Sequence, residues 1–314
     1  MSTQLGINTN LQLGFESTYG TAPSSMIKMP YQSSSVDDTQ SLISDETLGL
    51  GRDPQAPARG AVNVNGEITV PLDLRHLGWW LKALLGASSS TGSDPYTHTW
   101  TSGAASLPSF TLETQYPNLD TAKYAQAVGC YLSSFNLEMT REGLIAPRLG
   151  ILGKKVTDET ATADASPDTL VFKRFSSFQG SLRKDGTEIG SITRASFTYD
   201  NGLDADETLT SDGTIDGAQP GRASLTGQMT SRFQNSTLVD LARSGGAMEL
   251  QFRYVIDASN QLIITAHEVY LPKTSRSVNG PGGIEIGFDF QASYDAGDST
   301  MLTVALTNDV ASYP

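Results

Sequence analysis

The fold is decided by the stretch GAVNVNGEITVPLDLRHLGWWLK at residues 60–82, which predicts a strand followed by an amphipathic helix. The chain carries a second version, GRASLTGQMTSRFQNSTLVDLAR, at residues 221–243. Placed 161 positions apart, the two versions align without a gap, so that Gly66 matches Gly227. At the same offset, the tetrapeptide Asp-Glu-Thr-Leu at 45–48 recurs at 206–209. We interpret the chain as two fused copies of one domain.

The two copies are assigned to residues 1–160 and 161–314, joined by an acidic, small-residue linker at 157–168. Beyond residue 108 the copies align at an offset of 140 rather than 161, as the match of Gly143 with Gly283 illustrates. The difference nearly equals the length of the Ser-, Thr- and Gly-rich segment 87–108. We therefore predict that this segment is an insertion carried by the first copy alone.

Composition and periodicity favour β structure in both copies. The 314 residues include 30 glycines, 38% of the residues are apolar, and long helical patterns are absent. Alternation of apolar and polar residues gives each predicted strand one apolar face and one polar face. The predicted strands cover residues 61–70, 110–113, 135–140, 250–254, 284–291 and 301–306.

Each copy also has one predicted helix that packs on its core. In the first copy, Asp73 is a candidate N-cap and Gly86 a candidate C-terminal stop. Apolar residues then recur at i, i+3, i+4 and i+7, which places them on one helix face. The expected core residues of the two helices are Leu77, Trp80, Leu81, Leu84, Leu238 and Leu241.

Charge and cysteine content exclude several classes of protein. The formal net charge of −13 argues against a surface that binds nucleic-acid phosphates, which requires clustered Lys and Arg. Cys130 is the single cysteine, so no intrachain disulfide can form, and we expect it to be buried. We expect neither a signal peptide nor a membrane span, because no basic start or long apolar run is present.

No combination of residues predicts a catalytic or metal site. His76, His98 and His267 fall in different local contexts, and neither His-x-x-x-His nor Cys-x-x-Cys occurs. We expect His76 to lie on the surface. In the Asp-rich segment 200–216, counted from Asp204, Leu209 and Ile215 occupy the positions at which a calcium-binding EF-hand loop requires Gly and Glu. We therefore expect a protein that is not an enzyme and holds no cofactor.

Several segments taken together resemble one known family. GFESTYGTAP at 14–23 and GEITVPLD at 66–73, followed by the helix at 77–86, are similar to the opening and the strand–helix core of tail tube proteins of long-tailed bacteriophages. The resemblance covers nearly the whole chain. In the second half it involves residues 201–203, 221–241, 269–272, 288–292, Asp295 and 302–309.

The resemblance implies a structural virion protein made of two tandem β-sandwich or barrel domains, each with a flanking helix. In this family, domains join side by side around a channel, and the rings stack into a tube through which the genome passes. It also implies other tail proteins at the tube ends, a tape-measure protein inside, synthesis in the host bacterial cytoplasm, and no membrane partner. Members with one domain build six-fold rings, so two copies per chain predict a trimeric ring.

Two further expectations concern the channel and the N-terminus. The acids Glu138, Glu249, Glu285 and Asp289 lie on polar strand faces, and we expect some of them to line the channel. Like charge would keep DNA phosphates from sticking there. Residues 1–25 have few apolar groups, so we expect an arm that orders only against a neighbouring ring or subunit.

Two other classes of function remain open on the sequence. A carbohydrate-binding or adhesive β-sandwich would need exposed aromatic residues in a groove, for which Tyr96, Trp100 and Tyr116 are the candidates. A hydrolase on a β scaffold would need a catalytic constellation, and none stands out among the 34 acidic residues.

Overall fold

The computed structural model describes residues 3–49, 51–276 and 282–314. Its two α-helices are α1 (Leu77–Leu85) and α2 (Thr237–Ser244), and short 3-10 turns occupy Gly6–Asn8 and Ser177–Gln179. The strands are β1 (Asn10–Phe15), β2 (Ile27–Met29), β3 (Ser33–Ser34), β4 (Asp37–Ile43), β5 (Ala58–Thr69), β6 (Ser89–Gly92), β7 (Tyr96–Thr101), β8 (Phe110–Tyr116), β9 (Lys123–Thr140), β10 (Arg148–Gly153), β11 (Lys155–Glu159), β12 (Gly180–Lys184), β13 (Thr187–Glu188), β14 (Ile192–Asp200), β15 (Asp204–Ala205), β16 (Ala218–Gln219), β17 (Ser224–Arg232), β18 (Ala247–Asp257), β19 (Asn260–Tyr270), β20 (Glu285–Ser293) and β21 (Leu302–Asn308). The prediction of a mainly-β chain with one helix in each half is confirmed.

One antiparallel sheet runs through both halves of the chain, and we call it the continuous sheet. Its strand order is β4–β5–β10–β9–β14–β17–β20–β19, with β3 lying in line with β4 beside β5. The long strands β9 and β19 continue into a second layer. There β9 joins the order β2–β1–β8–β9–β11, and β19 joins β13–β12–β18–β19–β21–β7–β6.

The apolar core lies between these layers, because each strand of the continuous sheet alternates buried and exposed residues. Phe197 on β14 and Phe288 on β20 are each 2% exposed, and burying such a side chain contributes about 1.5–3 kcal/mol. Trp80 of α1 packs edge-on against Phe110, with ring centroids 6.3 Å apart. Of the expected helix residues, Leu241 is half-buried and the others are buried: Leu77, Trp80, Leu81, Leu84 and Leu238.

The strand pairings of the first half recur in the second. β5 pairs with β4 and β10 as β17 pairs with β14 and β20, and β8 pairs with β1 and β9 as β18 pairs with β12 and β19. The registers also correspond, since Gly66 lies opposite Ile151 and Gly227 lies opposite Phe290. The two glycines are 161 positions apart, as in the sequence alignment. Their partners Ile151 and Phe290 are 139 positions apart, which is one less than the offset of 140 that the sequence gives beyond residue 108.

The matched glycines have the same structural role. A Cβ atom on Gly66 would lie 2.6 Å from the carbonyl oxygen of Ser35, and one on Gly227 would lie 2.2 Å from that of Ser196. These serines are themselves 161 positions apart. In both halves, a side chain at this position would collide with the backbone of the adjacent segment, which is the β3–β4 junction in the first half and β14 in the second.

The N-terminal segment differs from the expected arm. β1 pairs with β2 and β8, and its residues Leu11 and Leu13 are 1% and 0% exposed. The expectation that residues 1–25 order only against a neighbour is therefore wrong for residues 10–15, because two buried leucines anchor them to the chain's own core. Residues 1 and 2 lie outside the described residues.

The expected linker and insertion are both integrated into the sheets. The start of the linker, at 157–159, belongs to β11, and its next residues are held by Glu113, whose carboxylate accepts hydrogen bonds from Thr162 and the Ala163 amide. Within segment 87–108, β7 pairs along its whole length with β21. The segment therefore extends the layer of the second half.

The turn before α1 also differs from expectation. α1 begins at Leu77, and Asp73 organises the preceding turn by accepting hydrogen bonds from the amides of Arg75, His76 and Lys173. His76 is 4% exposed rather than on the surface, and its Nδ1 lies 2.6 Å from the Asp73 carboxylate. Burial opposes ionisation of Asp73, but these hydrogen bonds outweigh it and hold the pKa of the carboxyl below its usual value.

Candidate functional site

The face of the continuous sheet that points away from the second layer is polar, and we call it the open face. Its residues alternate with the buried core residues of the same strands. A shallow depression of about 710 Å³ crosses it over β14, β17 and β20. The open face includes Asn63, Asn65, Glu67, Ser134, Asn136, Glu138, Arg148, Arg194, Ser196, Thr198, Asp200, Ser224, Thr226, Gln228, Thr230, Arg232, Glu285, Asp289 and Gln291.

Acids outnumber bases on the open face by five to three in that set. Two of the three arginines are paired across neighbouring strands: Arg194 lies 2.7 Å from Glu138, and Arg232 lies 3.8 Å from Glu285. Asp289 has no ion-pair partner among the described residues. The face is therefore polar, weakly acidic and poor in the clustered cations that hold phosphates.

Three of the four acids predicted from alternation share this face, namely Glu138, Glu285 and Asp289. Glu249 lies elsewhere, on β18 in the second layer, where its backbone exchanges hydrogen bonds with Asp185. Alternation in the sequence could not distinguish Glu249 from the other three acids. It identifies the two faces of a strand but does not show to which sheet the strand belongs.

The repeated tetrapeptide forms two exposed tips, which we call the DETL tips (residues 45–48 and 206–209). Leu48 is 94% exposed and Leu209 is 108% exposed. In the first tip, hydrogen bonds from the hydroxyl and amide of Thr47 lower the pKa of Asp45, which closes a tight turn. Neither leucine contributes to the core, so the repetition of this tetrapeptide has no explanation within the single chain.

The aromatic cluster considered for a carbohydrate site does not form an exposed groove. Trp100 is 0% exposed and packs against His98 and Tyr313, and Tyr96 and Tyr116 are half-buried. Burial also lowers the pKa of His98, whose Nε2 lies 2.8 Å from the carbonyl oxygen of Val310. His98 and Trp100 therefore fasten segment 87–108 to the C-terminal segment through Val310 and Tyr313.

The structure contains a cluster that spacing in the sequence did not predict. The side-chain ligand atoms of His267, Asp295 and Asp298 lie within 4.8 Å of one another. His267 contacts the carboxylate of Asp298 at 2.9 Å and the hydroxyl of Thr303 at 2.7 Å. Nε2 of the ring makes the hydrogen bond with Thr303, and Nδ1 is the atom that lies near Asp298. The free thiol of Cys130 is buried, as expected, and burial raises its pKa.

Within the described residues, neither of the two short helices has the length and apolar character needed to cross a membrane.

Comparison with curated proteins gave no match. A family model described as Phage tail tube protein matches residues 6–292, which is most of the chain and includes both halves of the continuous sheet. The resemblance seen in the sequence is thereby confirmed. The chain belongs to the phage tail tube protein family.

Proposed function

We propose that this protein polymerises into stacked rings that form the tail tube of a phage and carry DNA during ejection. The observation that carries the proposal is the continuous sheet, which has an apolar face on the core and a polar open face. At each end it also has an unpaired backbone edge, one along β3 and β4 and the other along residues 273–276. Unpaired sheet edges favour association unless they are covered. Joining end to end would cover them and enclose the open face.

The proposed building unit is a pair of domains, residues 1–160 and 161–314. The matching strand pairings and the matching glycine contacts support this division. Within one chain, the two units already join at the pairing of β9 with β14. We propose that neighbouring chains join by the same kind of strand pairing.

We propose three chains per ring, which supply six domains around the channel. Eight strands per chain give about 24 strands, and at about 4.8 Å per strand the backbone circle is roughly 37 Å across. Side chains on both sides reduce this to about 27 Å, and strand tilt increases it. Such a channel accommodates a DNA duplex.

The ring proposal predicts an alternation that microscopy can detect. β7 covers the outer edge of β21, whereas β11, the counterpart of β21, has no such strand beside it among the described residues. A tube reconstructed without imposed symmetry should contain three chains per ring. Density for residues 87–108 should appear at every second domain. Six chains per ring, or six equal outer densities, would contradict the proposal.

The open face is proposed as the channel lining, with Glu138, Glu285 and Asp289 among its acids. DNA would pass without specific binding, because the face repels phosphates on balance. Glu249, on the second layer, is the least suited of the four acids to this role. The proposal includes other tail proteins at the tube ends and a tape-measure protein inside the channel. It places the protein in the virion tail after synthesis in the host cytoplasm, with no cofactor, membrane or enzymatic step.

Ring stacking is proposed to use the DETL tips, since each ring would present six exposed leucines. Burying one leucine contributes about 1.5–3 kcal/mol, so six would contribute roughly 9–18 kcal/mol per ring contact. Replacing both Leu48→Asp and Leu209→Asp should leave a folded protein that forms rings but at least tenfold less tube. Sedimentation and negative-stain microscopy measure this difference.

The matched control for the tips is Val171→Asp, which changes another exposed apolar residue (74% exposed) away from them. This variant should form tubes like the unaltered protein. Tubes of normal length from the double tip variant would exclude the tips from ring stacking.

A further inference from the structure

The two ends of the continuous sheet are unpaired among the described residues. At one end, residues 33–39 of β3 and β4 pair with β5 on one side only, and all but Val36 are exposed. We call this the first edge. At the other end, the chain continues beyond β19 through residues 273–276, which form no strand pairing. We call this the last edge; the hydroxyl of Thr274 contacts the Gly287 carbonyl at 2.9 Å.

The counterparts of these edges meet inside the chain. Ser33 lies opposite Thr69 as Arg194 lies opposite Thr230, so residues 33–39 correspond to residues 194–200 of β14. That part of β14 pairs with residues 134–140 of β9. The pairing of β9 with β14 is therefore one completed joint inside the chain. The counterpart of its β14 side is the unpaired first edge, and the counterpart of its β9 side is the unpaired last edge.

The last edge corresponds to the start of that part of β9. Tyr131 lies opposite Leu152 and Tyr270 lies opposite Gln291, which gives an offset of 139. Residues 134–137 therefore correspond to 273–276. Pro272 takes the place of Ser133, which the β9–β10 register skips, and a proline is tolerated at such a bulge.

We propose that the first edge of one chain pairs with the last edge of the next chain as an antiparallel strand pair in the register of the β9–β14 joint. In this register Asp38 lies opposite Thr274 and Asp37 lies opposite Ser275. This inference rests on the proposed tube function and identifies the surface by which a second copy of the chain binds.

Charge complementarity supports the second copy as the partner. The first edge presents the exposed acids Asp37 and Asp38, and the last edge presents the exposed bases Lys273 and Arg276. In the proposed register Asp37 is diagonal to Lys273 on one face, and Asp38 is diagonal to Arg276 on the other. None of the four makes an ion pair within the described part of its own chain.

Disulfide crosslinking tests the register directly. Residues opposite each other in an antiparallel pair have Cα atoms about 4.5–5.5 Å apart, which suits a disulfide. Assembled Asp37→Cys/Ser275→Cys protein, oxidised with diamide, should give covalent dimers and trimers on non-reducing gels. The two positions of one chain lie at opposite ends of eight strands, roughly 33 Å apart, so the bond must join two chains. Cys130 is buried and will not compete.

The control variant is Asp38→Cys/Ser275→Cys, whose side chains point to opposite faces and should not crosslink. Normal tubes without a crosslink in the Asp37 variant would overturn the proposed joint while leaving the tube function intact. If the unaltered protein formed neither rings nor tubes, the proposed function itself would fail.

Charge reversal gives a second test that does not depend on cysteine. Asp37→Lys/Asp38→Lys should reduce assembly at least tenfold at low salt, and adding Lys273→Asp/Arg276→Asp should restore it. Normal assembly of the first variant, or no recovery in the fourfold variant when circular dichroism shows both to be folded, would contradict the joint.

Discussion

Gly227→Ala is expected to destabilise the chain by about 3 kcal/mol or more, in the upper range for overpacked sites. The new Cβ atom would lie 2.2 Å from the carbonyl oxygen of Ser196 and 2.3 Å from the ring of Phe290. Ser196 cannot move freely, because β14 is bonded to β9 on one side and to β17 on the other. For a chain of 314 residues, a loss of that size corresponds to a melting temperature lowered by about 5 °C or more.

Two matched variants make this result interpretable. Gly287→Ala changes a glycine on the adjacent strand β20 that has open space around it, so it should be neutral or slightly stabilising. Gly66→Ala meets the backbone of Ser35 and Val36, which lie on the free first edge and can shift, so its cost should be smaller than that of Gly227→Ala. Thermal unfolding of the unassembled chains measures all three. Equal stability of the Gly227 and Gly287 variants would show that the close strand contact does not constrain the fold.

Much of the fold could be predicted from the sequence, and the repeated glycine is one example of the reason. Periodicity and the two matching stretches predicted both helices, the main strands and a duplicated plan, because these depend on local patterns and on backbone contacts that only glycine permits. The pairing between the halves depends on contacts remote in sequence. Nothing near Glu138 or Arg194 indicates that β9 meets β14.

The expectations for the N-terminal segment and His76, which the structure corrects, and the separation of Glu249 from the other three acids have the same physical origin. Leu11 and Leu13 sit in a polar segment, and only the distant strand β8 makes them core residues. His76 is polar and near a helix start, yet a carboxylate three residues earlier satisfies it in the interior. Glu249 has the same alternating context as Glu285 but belongs to a different layer. Local sequence assigns the face of a strand, whereas long-range pairing assigns its sheet.

Reversing the charge of the open face is expected to slow DNA ejection by about tenfold or more at low salt. The double variant Glu285→Lys/Asp289→Lys changes two of the five acids counted on that face, so five acids and three arginines become three acids and five bases. Phosphates would then bind the channel wall as they pass, and each contact would release counterions, which makes the delay strongly dependent on salt. Tube assembly should be unaffected, since both residues are exposed and neither lies on a free edge of the sheet.

The control carries the same charge change on the other layer. Glu188→Lys/Glu249→Lys places two lysines on β13 and β18, which face away from the proposed channel. Ejection is measured as the release of dye-labelled DNA from virions that carry each variant, at low and at high salt. Comparison of the two variants separates an effect of charge on the open face from an effect of total charge. Slow ejection of the first variant alone, with recovery at high salt, would place the open face at the channel. Equal slowing by both variants would mean that total charge governs ejection, and no slowing by the first would mean that Glu285 and Asp289 lie on the outer wall of the tube.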